Sequence, residues 1–170
     1  MNKSFIFGVV LSVITALTFQ QALAQGAQVP FSGLKPGTDT QVEVTADTLG
    51  IDQTSGKAVF SGNVVIGIDG MRLTADKVEV VYQDLNAAAT GAISRLVASG
   101  HVVFTNGAEA AEANFADVDL DSGIIIMTGD VILTQGQNAL SGQKMRIDLN
   151  AGTAKIEGRV QTILKTGAGN

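Results

Sequence analysis

The chain repeats one five-residue pattern four times: an apolar residue, any residue, glycine, any residue and valine. The glycines of successive copies lie 38, 29 and 29 residues apart. A fixed period in this range is typical of stacked supersecondary units, because one such unit cannot bury its apolar face alone. The repeat therefore predicts an elongated body with a continuous apolar interior. The four copies are residues 60–64, 98–102, 127–131 and 156–160.

A second set of equivalent positions runs through the same four copies. In copies one, three and four it lies 16 residues before the glycine, and in copy two it lies 25 residues before it. One nine-residue insertion within Gln83–Ala92 explains this difference, and the sequence does not indicate what the insertion does. The positions are Ala46-Asp47, Ala75-Asp76, Ala113-Asn114 and Gly142-Gln143.

Short segments between the anchors alternate apolar and polar residues, as in Lys77–Tyr82 and Lys144–Leu149. This alternation predicts half-buried β-strands. Each copy has room for about four short strands, so we expect about sixteen antiparallel strands. Strands of this kind form either two facing sheets or a rolled, jelly-roll-like tube. The face held apolar would point inward, while the polar face is expected to vary freely.

The interior expected from this pattern is aliphatic, because the chain has seven Phe, one Tyr and no Trp. Two interpretations of it remain open. An under-filled interior that is splayed at one edge would form a groove suited to acyl chains. A fully packed interior would hold no ligand.

The N-terminus predicts a secretory signal peptide over residues 1–24. Lys3 supplies the positive charge, an apolar run follows, and Ala22-Leu23-Ala24 is an A-x-A cleavage site. The mature chain would then comprise a flexible lead-in over 25–40, one β-domain over 41–164 and a C-terminal tail over 165–170. The expected first strand starts at Gln41, and the expected last strand covers residues 159–164.

The composition argues against catalysis. The chain has no cysteine, its serines lack a nucleophile-elbow context, and no glycine-rich phosphate loop precedes a helix. The one histidine, His101, occupies an outward position that holds different polar residues in the other copies. We therefore expect no enzyme activity, no cofactor and no metal site.

The charge distribution is uneven. The formal net charge of −5 argues against nucleic acid as a partner. Residues 140–170 nevertheless carry a net charge of +3, and residues 25–139 carry −9. This asymmetry is either ordinary scatter over a solvated surface or a positive end that meets an anionic ligand or the acidic end of another copy.

Several motifs, taken in order, resemble the LptA-type, OstA-like family of periplasmic lipopolysaccharide-transport proteins. They are residues 46–52, 58–64 and 73–78, followed by 128–131, 135–142 and 147–149. The resemblance implies a twisted antiparallel β-jelly roll that stacks head to tail with itself and with like-folded partners. These partners would be an inner-membrane anchored protein and the N-terminal domain of an outer-membrane β-barrel. It also implies a bridge that carries lipopolysaccharide across the periplasm, with a role in outer-membrane biogenesis.

A lipopolysaccharide carrier needs a long aliphatic groove with cations at its rim. Lys144 and Arg146 are weaker candidates, for phosphate contact, because they flank Met145 on the opposite face of the same strand. The alternative function is a β-repeat scaffold or adhesin that binds proteins only. The groove candidates, which would contact lipid A, are Val64, Ile66, Val80, Val102, Phe104, Val118, Val131, Leu133, Met145 and Ile147.

Overall fold

The residues that the structure describes form one antiparallel sheet of eleven strands and contain no helix. The structure is a computed structural model and describes residues 27–30, 42–52, 55, 57–83 and 93–164. The all-β antiparallel fold expected from the sequence is confirmed. The strands are β1 (Ala27–Pro30), β2 (Val42–Thr45), β3 (Thr48–Asp52), β4 (Lys57–Ile68), β5 (Met71–Tyr82), β6 (Ile93–Asn106), β7 (Glu109–Asp119), β8 (Ile124–Gln135), β9 (Asn138–Asp148), β10 (Thr153–Glu157) and β11 (Gln161–Ile163).

Strands β4 to β10 form a meander in which each strand pairs with the next one in the chain. On the outer side of β4, β2 pairs with residues 65–68 and β3 pairs with residues 57–61. On the outer side of β9, β10 pairs with residues 144–148 and β11 pairs with residues 139–141. β1 then adds to the outer side of β10.

Each long strand from β4 to β9 bends near its middle, where its pairing register shifts; the pairing of β5 with β6 has a second shift at Val81/Tyr82. The bends follow one another across the sheet along what we call the fold line, which divides the sheet into two layers. The first layer contains β1, β3, β10 and residues 57–61, 77–82, 93–99, 115–119, 124–128 and 144–148. The second layer contains β2, β11 and residues 64–68, 71–75, 102–106, 109–113, 131–135 and 138–142.

The inner faces of the two layers pack against each other in one hydrophobic cluster. In β8, Met127 of the first layer and Val131 of the second are fully buried, while Ile132 between Val131 and Leu133 points outward and is 41% exposed. This alternation is the half-buried strand pattern that the sequence predicts, and it repeats on both sides of the fold line.

The eleven strands of the described residues are fewer than the sixteen or so that the sequence analysis expected. The difference arises at the repeated glycines, because the strands that contain them are longer than the short strands expected from the sequence. In β4, β6 and β8 the chain instead runs through the glycine as a β-bulge, which bends a strand without ending it.

Some expectations concern the chain ends. The first described strand of the domain is Val42–Thr45, and the last is Gln161–Ile163; the expected start at Gln41 lies outside the described residues. Within the expected lead-in over 25–40, residues Ala27–Pro30 form β1. The expected signal peptide over 1–24, the tail over 165–170 and most of the insertion lie outside the described residues.

Candidate functional site

The interior between the two layers is the candidate binding site. The ten residues that the sequence analysis assigns to a lipid groove lie on its inner faces, and each is at most 3% exposed. Their contact with lipid stays a prediction. They are Val64 and Ile66 of β4, Val80 of β5, Val102 and Phe104 of β6, Val118 of β7, Val131 and Leu133 of β8, and Met145 and Ile147 of β9.

Opposite the fold line, the tips of the two layers meet along an edge that we call the mouth. The cavity there measures about 10 Å³, no more than the smallest space that holds one water molecule. The described interior is therefore packed at the mouth, and the described residues show no under-filled groove there. An acyl chain would enter only if the layers parted at the mouth. The cavity is lined by Ile68, Met71, Leu73 and Phe104 of the second layer and its edge, and by Val118, Leu120, Ile125 and Leu149 of the first.

The fold line is made by a recurring pair of residues with left-handed backbone conformation. In each copy of the repeat, the glycine and the residue after it both have positive φ angles. Glycine adopts this conformation at no steric cost, and Asn, Asp and His tolerate it better than most other residues. The pairs, with their φ angles, are Gly62 (79°) and Asn63 (47°), Gly100 (77°) and His101 (44°), Gly129 (82°) and Asp130 (49°), and Gly158 (82°) and Arg159 (45°).

The second set of repeated positions supplies the residues that cover these glycines. A Cβ atom on Gly129 would lie 2.8 Å from Nδ2 of Asn114, and one on Gly158 would lie 2.8 Å from Cβ of Gln143. Gly62 and Gly100 are covered in the same way by Asp47 and Asp76. The two sets of repeated positions found in the sequence are thus the two sides of one contact.

Hydrogen bonds join the same pairs of positions on the outer surface. Asn63 Nδ2 donates to Asp47 Oδ2 at 2.9 Å, and Nδ1 of His101 lies 2.8 Å from Asp76 Oδ2. These outward positions differ in residue type, as expected, but the structure ties them to the fold line. They hold the bend of each strand, and a side chain there must suit both the left-handed backbone and its neighbour.

Neither His101 nor the acidic residues form a metal centre in the part of the chain that the structure describes. No group of three or more His, Asp or Glu side chains is placed there to hold a metal ion. No described helix is long and apolar enough to cross a membrane.

The two candidate phosphate contacts, Lys144 and Arg146, lie on the outer surface of β9. Arg146 stands opposite Lys155 of β10, and Lys144 lies next to the fold line, away from the mouth. Lys155 Nζ lies 2.7 Å from Glu157 Oε1. The hydrogen bond from Lys155 holds the pKa of the Glu157 carboxyl below its usual value. Lys144 therefore does not line an opening of the interior, and phosphate binding by these two residues stays a prediction.

The two ends of the sheet differ. At the leading end, formed by β2 and β3, Leu49 and Ile51 stand opposite the inward residues Phe60 and Ala58. They point inward but are 53% and 68% exposed, so the inner face of the first layer is open here. At the trailing end, formed by β10, β11 and β1, Ile156 is fully buried.

Sequence reasoning missed two features of this site. The contact between the two sets of repeated positions had a signal, the constant spacing of 16 residues in three copies, which fits a hairpin that brings both sets together. The pairing of β1 with β10 had no such signal, because the two strands come from opposite ends of the described chain.

Comparisons with known proteins match this architecture. Residues 43–153 match the family model described as "LptA/(LptD N-terminal domain) LPS transport protein". The solved structure of LptH from Pseudomonas aeruginosa is described as the LptA homologous periplasmic component of the conserved lipopolysaccharide transport device. It superposes with a TM-score of 0.65 at 14% sequence identity, over 74% of this chain and 96% of LptH. At this identity the likeness shows a shared fold.

An uncharacterised protein of Rhizobium meliloti (strain 1021) is 29% identical over 115 residues. The alignment covers 66% of this chain and 62% of that relative, so the chain spans about 62% of the length of the curated relative that it matches. The family model covers more than half of the chain and includes three of the four glycine pairs of the fold line and most of the inner faces. The chain therefore belongs to the LptA/(LptD N-terminal domain) family of lipopolysaccharide transport proteins.

Proposed function

We propose that the protein is a non-catalytic periplasmic bridge that carries lipopolysaccharide from the inner to the outer membrane through its apolar interior. The observation that carries this proposal is the shape of that interior. One apolar cluster spans both layers from β4 to β10, and it continues at the leading end into the exposed inward side chains of Leu49 and Ile51. Membership of the family, together with the periplasmic transport role given for LptH, supports the same function.

Acyl chains are a suitable cargo for such an interior. Each CH₂ group removed from water contributes about 0.8 kcal/mol, so several acyl chains can offset the cost of separating two packed layers. The layers are covalently continuous at the fold line but meet at the mouth mainly through side-chain packing. Opening at the mouth would expose Phe104, Val118 and Leu149 first, while the polar part of the ligand stayed in water.

A bridge needs copies or like-folded partners in contact at their ends. The outer edges of β2 and β3 at one end, and of β11 at the other, are not covered by another strand of the described chain. Unpaired strand edges are templates for a further strand. We therefore propose head-to-tail stacking with itself, with an inner-membrane anchored relative and with the N-terminal domain of an outer-membrane barrel.

Photo-crosslinking at two adjacent apolar residues tests whether lipid occupies the interior. A diazirine-bearing leucine analogue replaces Leu133, which points inward, or Ile132, which points outward on the same strand. We expect lipid A to be captured at position 133 and not at position 132. Equal capture at both, or capture at 132 alone, would exclude the interior as the lipid site.

The scaffold alternative has one observation in its favour, which is the closed interior with its cavity of about 10 Å³. It predicts that neither position captures lipid, while the protein still stacks end to end. Assembly is measured separately by sedimentation velocity of Ile163→Asp, which changes an exposed residue of β11, and of Phe115→Asp, which changes an exposed residue away from the ends. Weakened assembly of the first variant alone supports stacking at the trailing end.

A further inference from the structure

The trailing end of the sheet is uneven, whereas the leading end is level. At the leading end each layer extends by one strand beyond β4, with β3 in the first layer and β2 in the second. At the trailing end the second layer extends by one strand beyond β9, which is β11, but the first layer extends by two, β10 and β1. Because neighbouring strands lie about 4.8 Å apart, β1 makes a step of that height.

We propose that β1 is an intramolecular cap that occupies the place of β3 from a second copy of this chain, and that it must leave β10 before two copies dock through both layers. The proposal rests on the end-to-end assembly proposed above. Without β1, both layers of the trailing end would extend one strand beyond β9, and this level edge would match the level edge formed by β2 and β3.

Strand direction supports the same conclusion. Every described pair of neighbouring strands is antiparallel. Along the sheet from β3 through β4 to β10, successive strands run in opposite directions. A neighbouring copy in the same orientation would therefore place its β3 antiparallel to β10 and its β2 antiparallel to β11. A neighbour's β3 placed on β1 would instead run parallel to it. The cap therefore changes the direction as well as the height of the edge.

β1 also resembles β3 in its side-chain pattern. Ala27 and Val29 of β1 are half-buried, and Gln28 between them is exposed; Val29 packs against the core. In β3, Leu49 and Ile51 alternate in the same way and lack cover. Because these side chains are larger, exchange of β1 for a neighbour's β3 would bury more apolar surface on β10 than β1 buries.

The far end of β1 is fastened by one side chain. Gln135 Nε2 donates to the carbonyl oxygen of Pro30 and to Glu109 Oε1, each at 2.8 Å. Pro30 itself has no N–H group, and proline is a usual residue on strand edges that do not accept a further strand. β1 is thus a four-residue strand, held by few contacts, that blunts the edge it covers.

A reversible disulfide tests the cap. Gln28 and Lys155 stand directly opposite each other on β1 and β10, and opposed residues of antiparallel strands lie within the Cα separation of about 4.4–6.8 Å that a disulfide spans. Because the natural chain has no cysteine, the double variant Gln28→Cys with Lys155→Cys can form a single disulfide, which we call the β1 lock. The matched control, Ser141→Cys with Gln161→Cys, locks β11 to β9, a pair that need not separate.

Sedimentation velocity of the oxidised and reduced forms gives the result. We expect oxidation of the β1 lock to weaken self-association by about tenfold or more, which corresponds to about 1.4 kcal/mol, and oxidation of the control to leave it unchanged. Equal association of the oxidised and reduced β1 lock overturns the cap while leaving end-to-end assembly intact. If none of these forms associates, Val29→Asp, which loosens β1, should associate. A Val29→Asp variant that stays monomeric overturns both the cap and the assembly. Lipid capture at Leu133 then still tests the proposed transport of lipopolysaccharide separately.

Discussion

The interior and the fold line follow different physical rules. Two residues before the repeated glycines, the interior holds Phe60, Ala98, Met127 and Ile156, which share only their apolar character. The fold line holds glycine at all four equivalent positions. Burial requires an apolar volume that several side chains can supply, whereas a left-handed bend beneath another side chain requires the absence of a Cβ atom. The interior therefore tolerates a change of side chain, and the fold line does not.

The largest effect is expected where a charge enters the interior. Val131→Asp would bury an unpaired carboxylate among apolar side chains, and we expect it to lower the free energy of unfolding by about 3–5 kcal/mol. Asp130→Asn, one residue earlier on the outer surface, is the matched control and should change it by about 0.5 kcal/mol or less. Urea denaturation measures both. Similar midpoints for the two variants would show that inner and outer faces are not distinguished.

A methyl group should suffice to disturb the fold line. Gly129→Ala forces alanine into a left-handed backbone and places its Cβ against Asn114, so we expect a loss of about 2–3 kcal/mol. Gly136→Ala is the control, because Gly136 also has a positive φ of 60° but has open space around it; its expected loss is about 1 kcal/mol. If the two variants lose equal stability, the cover by Asn114 does not matter and backbone conformation alone explains the glycine.

The residue after the glycine sharpens the comparison further. Asp130 has a φ angle of 49°, which Asn tolerates and a β-branched residue does not. We expect Asp130→Val to cost about 1–2 kcal/mol, although valine is the better strand former elsewhere in a sheet. Thermal denaturation of Asp130→Val beside Asp130→Asn measures this. A valine variant as stable as the asparagine variant would contradict the stereochemical rule.

The smallest effect concerns the turn that follows β7. The backbone N–H of Ser122 donates to Asp119 Oδ1 at 2.8 Å, and this bond holds the pKa of the Asp119 carboxyl below its usual value. A lowered pKa in the folded state gives stability that is present above the usual pKa and is lost as the pH falls through the lowered one. When the pH is lowered from 6 to 3, the melting temperature of Asp119→Asn should therefore fall slightly less than that of the wild type. An equal or larger loss would contradict this.

The apolar interior was predictable from the sequence because it depends on local alternation. Val64, Val102 and Val131 repeat at fixed positions relative to a glycine, and this regularity was enough to assign their inward direction. The fold line was predictable in part. Gly129-Asp130 indicates a positive φ angle, but the same dipeptide suits a turn between two strands and a bulge within one. Only the pairing of β8 with both β7 and β9 separates these possibilities.

Two further features could not be read from local patterns. The closed state of the interior depends on how the side chains of two layers fit together, as around the small cavity that Phe104 and Leu149 both line, and composition gives volume but not fit. The place of β1 depends on a pairing between distant segments. Ala27–Pro30 is too short for alternation to be informative, and Pro30 argues against a strand in most contexts.

The pairing of β1 with β10 also has a consequence for the order in which the chain folds. In the meander each strand can pair as soon as the next one is available, because the two are neighbours in the sequence. β1 must wait until β10 is available, and closing so long a loop carries a larger entropic cost. A folding molecule therefore passes through a period in which its trailing edge is uncovered. If copies stack as proposed, joining a stack and closing on itself compete as two rates, so the local concentration of free stack ends would determine the length of the stack.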